Sequence, residues 1–361
     1  MNFAQIQEAF QTDGAEAVFD LLVRDARDTG NYRVLFDTAI LRVRHQLGLP
    51  LIETEPVAGL TAEQRSIYEA AFRDAARQAG ALCLSHGDIV NAWPYFKAIG
   101  EPGPVADAIQ RVNGGEDLDR VIEIAFQEGA NPDRGFELIL EHRGICSAIT
   151  WFGGLSDRGS RQAGLRLLVQ SLYREVADAL KHTIAQREGS EPATGRIAEL
   201  IDGRGWLFEG MSTYTDATHV TSILRYAPEL EDEPSLRLAL ELAEYGQHLD
   251  PMYHFRGDPP FEDTYRDIGV YLKVLLGEDV DAGIAHFHAK IAGPQDSLSA
   301  EVLINLLSRL ERYAEAIQVS IECLPEASLA LCQLAGDYSA LGKIAEQRND
   351  AVAFAAAIIQ R

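Results

Sequence analysis

The sequence predicts an all-α protein, built as an irregular array of antiparallel helix pairs. Three observations predict it. Ala, Leu, Glu, Arg and Gln, which favour helices, are abundant, while runs of β-branched and aromatic residues are sparse. Apolar residues recur at the spacing of a helix face along most of the length. Gly, Pro and Asp punctuate that pattern at short intervals, and no segment demands a sheet.

The elements follow in order. Val18, Leu21, Leu22 and Ala26 mark a helix within residues 14–27, broken at Gly30 and Asn31. A second helix is expected over 32–46, with Gly48 and Pro50 as its stop. Thr61 caps a third, and Gln64 completes a capping box ahead of Ile67, Ala71 and Ala75. Gly87 and Asp88 turn the chain into the next helix, where Pro94 is expected in the first turn, at little cost. Leu118, Val121, Ile122 and Ala125 form one face of a further helix. Phe136, Leu138, Ile139 and Leu140 then lead to a break at Gly144.

A long helix is expected over 161–186. Residues 188–195, rich in Gly, Ser, Pro and Thr without apolar anchors, read as a linker. The expected organisation is an N-terminal lobe, 1–187, and a C-terminal lobe, 196–361, or one continuous domain. Short helices over 279–291, 299–309, 313–324, 328–335 and 340–359 complete the array.

At 361 residues, 47% hydrophobic and 24% charged, the chain is long enough to bury a sizeable core. Its 55 acidic and 32 basic residues give a formal charge of −23. A phosphate backbone needs a basic face, and no Lys/Arg cluster supplies one, so nucleic acid is excluded as a partner. Solubility is the plain use of this charge, and an acidic partner-binding face is the other. Cys83, Cys146, Cys323 and Cys332 form no CxxC pair and read as reduced thiols of a cytoplasmic protein. The first residues lack the basic region and apolar run of a signal peptide. No apolar stretch approaches the ~20 residues that span a bilayer, so no membrane is expected as a partner.

Gly80, Ala92, Phe96 and Pro104 stand at the spacing of the small, small, aromatic and proline positions of a tetratricopeptide repeat, with Gly87–Asp88 at its turn. Tyr313 and Ala316 suit the start of a second helix in another copy, whose aromatic and proline positions hold Ser320 and Ser328. The chain thus resembles a degenerate tetratricopeptide-type helical array, and an uncharacterised bacterial family of such proteins. The resemblance implies an α-solenoid and a protein or peptide partner, and carries no activity.

Residues 206–277 hold the densest mixture of His, Asp, Tyr, Arg and Pro. Asp216 and His219 stand three apart on a helix that Pro228 stops, so both point from one face. His248, Asp250 and His254 lie at the end of the next helix and in the loop broken by Pro251. One reading gathers Asp216, His219, His248 and His254 around a divalent metal such as zinc or iron. Asp216, His219 and Tyr214 then do the chemistry, and Tyr253 and Arg256 contact substrate. The other reading makes these polar residues of helix ends, His248 being favoured there by the helix dipole. In the loop at 255–263, Arg256 either binds an anion or pairs with Asp258 or Glu262.

Other constellations read as packing. His142 and Cys146 stand four apart across Gly144, and a buried structural thiol is expected. In His286–Phe287–His288, helical spacing sets His288 on the apolar side and His286 at the surface. Trp93, Tyr95, Phe96, Trp151 and Phe152 are expected in the core. No Gly-rich phosphate loop is present. The expected function is a protein- or peptide-binding scaffold. The alternative is a metal-dependent hydrolase or oxygenase acting on a small molecule, with its His/Asp centre in residues 214–256.

Overall fold

The computed structural model describes residues 2–52, 60–209 and 216–360. Among these the chain is helical throughout, with no strand and a single antiparallel bridge between Arg256 and Asp263. Among the described residues no helix is long and apolar enough to cross a membrane.

The chain forms two compact units, residues 1–143 and 144–361. In the first, α1 (Phe3–Asp28), α2 (Tyr32–Gln46), α3 (Ala62–Ser85), α4 (Ile89–Ala98) and α5 (Gly103–Ile109) each pack on the next. α6 (Leu118–Ile122) runs on into a π-helical turn, Glu123–Gln127. The expected capping box forms, with Thr61 and Gln64 exchanging backbone bonds of 3.2 and 3.1 Å. At Gly80 a Cβ would lie 2.6 Å from the Phe96 ring, so only glycine lets α3 and α4 meet there. Ala92, Trp93 and Phe96 fill the core beside Cys83, Val105 and Ile109. Glu128 accepts from the Trp93 indole and Lys97, both at 2.7 Å, and is held down to about 2 by those bonds. Pro94 lies in the body of α4, beyond the first turn, so its place there costs a backbone bond.

α7 (Pro132–Phe152) changes direction at Gly144, whose φ of 76° suits a residue without Cβ, and the units divide at this break. The linker-like residues 188–195 do not divide the chain. They follow α8 (Arg158–Glu188) and are tied back by α9 (Ile197–Ile201). Tyr173 of α8 donates to Glu241 at 2.5 Å and accepts from Ile197 N at 3.0 Å, while Arg196 donates to Glu241 at 3.0 Å. The composition reads as a linker; the bonds of Tyr173 and Glu241 make it a corner.

The second unit continues with α10 (Ala217–Tyr226), α11 (Glu233–His248), α12 (Thr264–Leu275), α13 (Val280–Lys290), α14 (Ser297–Arg309), α15 (Tyr313–Cys323), α16 (Ser328–Leu334), α17 (Tyr338–Gln347) and α18 (Ala351–Ile359). From α11 onward each helix packs on its successor. Small residues permit this closeness: a Cβ on Gly246 would sit 2.3 Å from the Tyr265 ring, and one on Gly283 2.1 Å from Val274. Tyr271, Phe287, Leu303, Leu307, Ile317 and Leu341 share one core. The helix expected over 340–359 is two, because Asn349 takes a left-handed φ of 58° and Asp350 caps α18.

Candidate ligand-binding cleft

The residues singled out in the sequence do not gather into one centre. Asp216 is the N-cap of α10; its carboxylate accepts from the Thr218 hydroxyl and amide at 2.6 and 2.8 Å, and these bonds hold its pKa low. His219 lies 3.8 Å from that carboxylate, Nε2 to Oδ2, and its buried Nδ1 has no partner among the described residues. His248 stacks on Phe208, ring centres 5.1 Å apart. His254 Nε2 lies 3.0 Å from the Leu249 carbonyl, and its ring meets Tyr265 edge-on. Tyr214 lies outside the described residues. Among the described residues no three His, Cys, Asp or Glu side chains are grouped to hold a metal ion. The expected zinc or iron set is therefore not assembled: Asp216 serves a helix end, while His248 and His254 serve packing.

The loop at 249–263 is folded tightly. The Tyr253 carbonyl accepts from the Tyr265 hydroxyl at 3.2 Å, which also meets Thr221 at 2.9 Å. Thr264 donates to the Phe255 carbonyl, and Gly257 N to that of Glu262. The Arg256 carbonyl accepts from Arg225, and its guanidinium makes no ion pair with Asp258 or Glu262. Glu262 pairs with Lys290 at 2.7 Å.

This pair belongs to a polar cluster that the sequence reading passed over. Asp267 is 1% exposed on the buried face of α12. It accepts from Lys290 at 2.5 Å, from the Asp263 amide at 2.9 Å, and faces His286 Nε2 at 2.8 Å. The expected roles of the two histidines are reversed, since His286 turns inward and His288 is exposed. A carboxylate amid Tyr265, Ile268, Tyr271 and Leu272 was the available signal, because a buried charge requires partners. Trp151, expected in the core, is 37% exposed.

Beside this cluster lies an open cleft. It has a volume of about 700 Å³ and lies between α14, α16, Phe261 and the turn at 228–231. Val302, Asn305 and Arg309 follow one another at three- and four-residue steps along α14, forming a stripe on its face with Ser308 beside it. Phe261, Tyr271, Tyr313 and Leu334 add apolar surface, Leu334 being 69% exposed. Phe261 is fixed by ring contacts with Tyr271 and Phe287 at 5.8 and 5.7 Å. Ser308 donates to the Ile304 carbonyl, whereas the exposed Asn305 amide bonds no described residue.

Cys83 is buried, and burial pushes its pKa up to about 12. Cys146, expected to be buried, is instead exposed close to the Gly144 break. Comparison of the chain with protein-family models, curated proteins and solved structures finds no match.

Proposed function

We propose that the chain is a peptide-binding helical scaffold, its successive helix pairs arranged as a degenerate tetratricopeptide-like array, and that the cleft along α14 takes the peptide. The observation that carries this is the Asn305 amide, exposed and bonded to no described residue, in a cleft that Val302, Phe261, Tyr271, Tyr313 and Leu334 also line. An amide presents one acceptor and two donors, which complement the N–H and C=O of a peptide unit. Val302, Phe261 and Leu334 around it supply the apolar surface that side chains of such a segment bury, at about 25 cal/mol per Å². The formal charge of −23 is compatible with protein partners and unsuited to nucleic acid.

The test is selection of a displayed random dodecapeptide library on the full-length chain, with affinities of enriched peptides read by fluorescence anisotropy. Asn305→Ala and Val302→Glu should each weaken them by about tenfold or more. Gln170→Ala, on an exposed position of α8, should not. Peptides that bind all variants alike, or a failure of any peptide to enrich, would sink the reading.

A further inference from the structure

The charges lining the cleft are unequally matched. Glu229 receives three bonds from Arg161, at 2.8–3.0 Å, and Glu231 pairs with Arg158 at 2.7 Å. Both lining carboxylates are thus neutralised by cations already committed to them. Arg309 is different. It is exposed at the end of the α14 stripe and forms no ion pair with any described carboxylate. It donates instead to the backbone carbonyls of Pro228, at 2.6 Å, and Leu230, and meets the Tyr271 hydroxyl. In a chain with 55 acidic residues, a solvent-facing guanidinium held by carbonyls and a phenol, with no carboxylate, is out of keeping with its surroundings.

The carbonyl bonds also orient it. A guanidinium has five N–H donors in a rigid plane. Those turned to Pro228 and Leu230 fix the plane, and donors remain for a ligand. A preset fork of this kind suits a carboxylate, and little side-chain entropy remains to be lost on binding.

We infer that the cleft recognises a peptide segment carrying a single Asp or Glu side chain between aliphatic or aromatic neighbours, with that carboxylate on Arg309. The inference rests on the peptide-binding reading above. One uncommitted cation matches one carboxylate, whereas a phosphate group brings a charge of about −1.5 to −2 and needs more. The carboxylate is assigned to a side chain because the lining does not end at Arg309. Val302 stands roughly 10 Å back along α14, and the turn at 228–231, whose carbonyls hold Arg309, lines the cleft as well. A segment seated on both would pass over Arg309 and meet it with a side chain.

The test repeats the library selection on the wild type and on Arg309→Gln and Arg309→Lys, each verified as folded by thermal melting. Wild-type protein should enrich peptides with a recurrent Asp or Glu, and changing that residue to Asn or Gln should weaken binding about tenfold or more. Against Arg309→Gln the same exchange should change affinity less than about twofold. Arg309→Lys should keep the preference for the acid at lower affinity, which a merely structural role of Arg309 would not produce. If Arg309→Gln fails to fold, Leu334→Glu serves instead. Its new carboxylate should weaken the acidic peptides more than their amide counterparts.

Enriched peptides without a recurrent acid, or with an acid whose effect survives Arg309→Gln, would overturn the inference and leave peptide binding standing. Tighter binding of a phosphoserine peptide than of its Asp or Glu form would also overturn it. Failure of any peptide to enrich would remove the underlying reading itself.

Discussion

Replacing Asp267 by Ala should weaken the second unit by about 2–4 kcal/mol. The carboxylate is 1% exposed and has partners on three sides: Lys290 at 2.5 Å, His286 at 2.8 Å and the Asp263 amide at 2.9 Å. Removing one member of a fully buried pair costs ~3–5 kcal/mol. The cost is smaller here because Lys290 and His286 keep 20% and 24% of their side-chain surface in solvent and Glu262 still holds Lys290. For a unit of this size that is a fall in melting temperature of about 4–15 °C. The assay is urea denaturation joined to hydrogen exchange, following peptides of α12 and α13, so that opening of this region is separated from events elsewhere. The double variant Asp267→Ala, Lys290→Met should lose less than the two single changes added together, because it removes the unpaired ammonium as well. A loss below about 1 kcal/mol for Asp267→Ala, or strict additivity in the double variant, would refute a coupled cluster. The acid limb offers a second reading. Lys290 holds the Glu262 pKa below the usual carboxylate range. Its stabilisation is therefore complete above the unfolded-state value of about 4.3 and is lost as pH falls through the lower folded value. Lys290→Met should flatten that part of the stability curve.

Glu128 should show the same sign in the first unit: with its pKa held at about 2, its contribution is lost as pH falls from about 4.3 towards 2, and Glu128→Gln should abolish this component in acid titrations followed by Trp93 fluorescence. Gly246→Ala should cost about 1–3 kcal/mol in chemical denaturation, because its Cβ would fall 2.3 Å from the Tyr265 ring; a neutral result would mean that α11 and α12 separate freely. Aromatic disulfide reagents at neutral pH should modify Cys146 first, with buried Cys83 and Cys332 reacting only on denaturation. Equal rates for Cys83 and Cys146 would contradict the packing of α3 against α4.

Helix positions were legible in the sequence because caps and glycine breaks are local: Thr61 with Gln64, Asn31 ahead of α2 and Gly144 within α7 act through residues a few places away. The same locality explains the misreading of Asp216. An Asp before an apolar run is first of all an N-cap, and Asp88, Asp157, Asp232, Asp263, Asp296, Asp337 and Asp350 perform that task alongside it. Part of the acidic excess that reads as solubility is therefore helix capping, which satisfies orphan amides and favours negative charge at helix N-termini. What stayed hidden depends on which faces meet. Periodicity shows that α12 and α13 each have a buried side; it does not show that Asp267 on one faces His286 and Lys290 on the other. Arg309 is the extreme case. In sequence it is a basic residue in the last turn of a helix, where the dipole alone explains it. Only a turn some 80 residues earlier, bringing the carbonyls of Pro228 and Leu230 to its guanidinium, distinguishes it from Arg161 and Arg158, whose carboxylates lie in that same turn. What sets Arg309 apart is the carboxylate that its charge lacks, and that is a property of the packed helices.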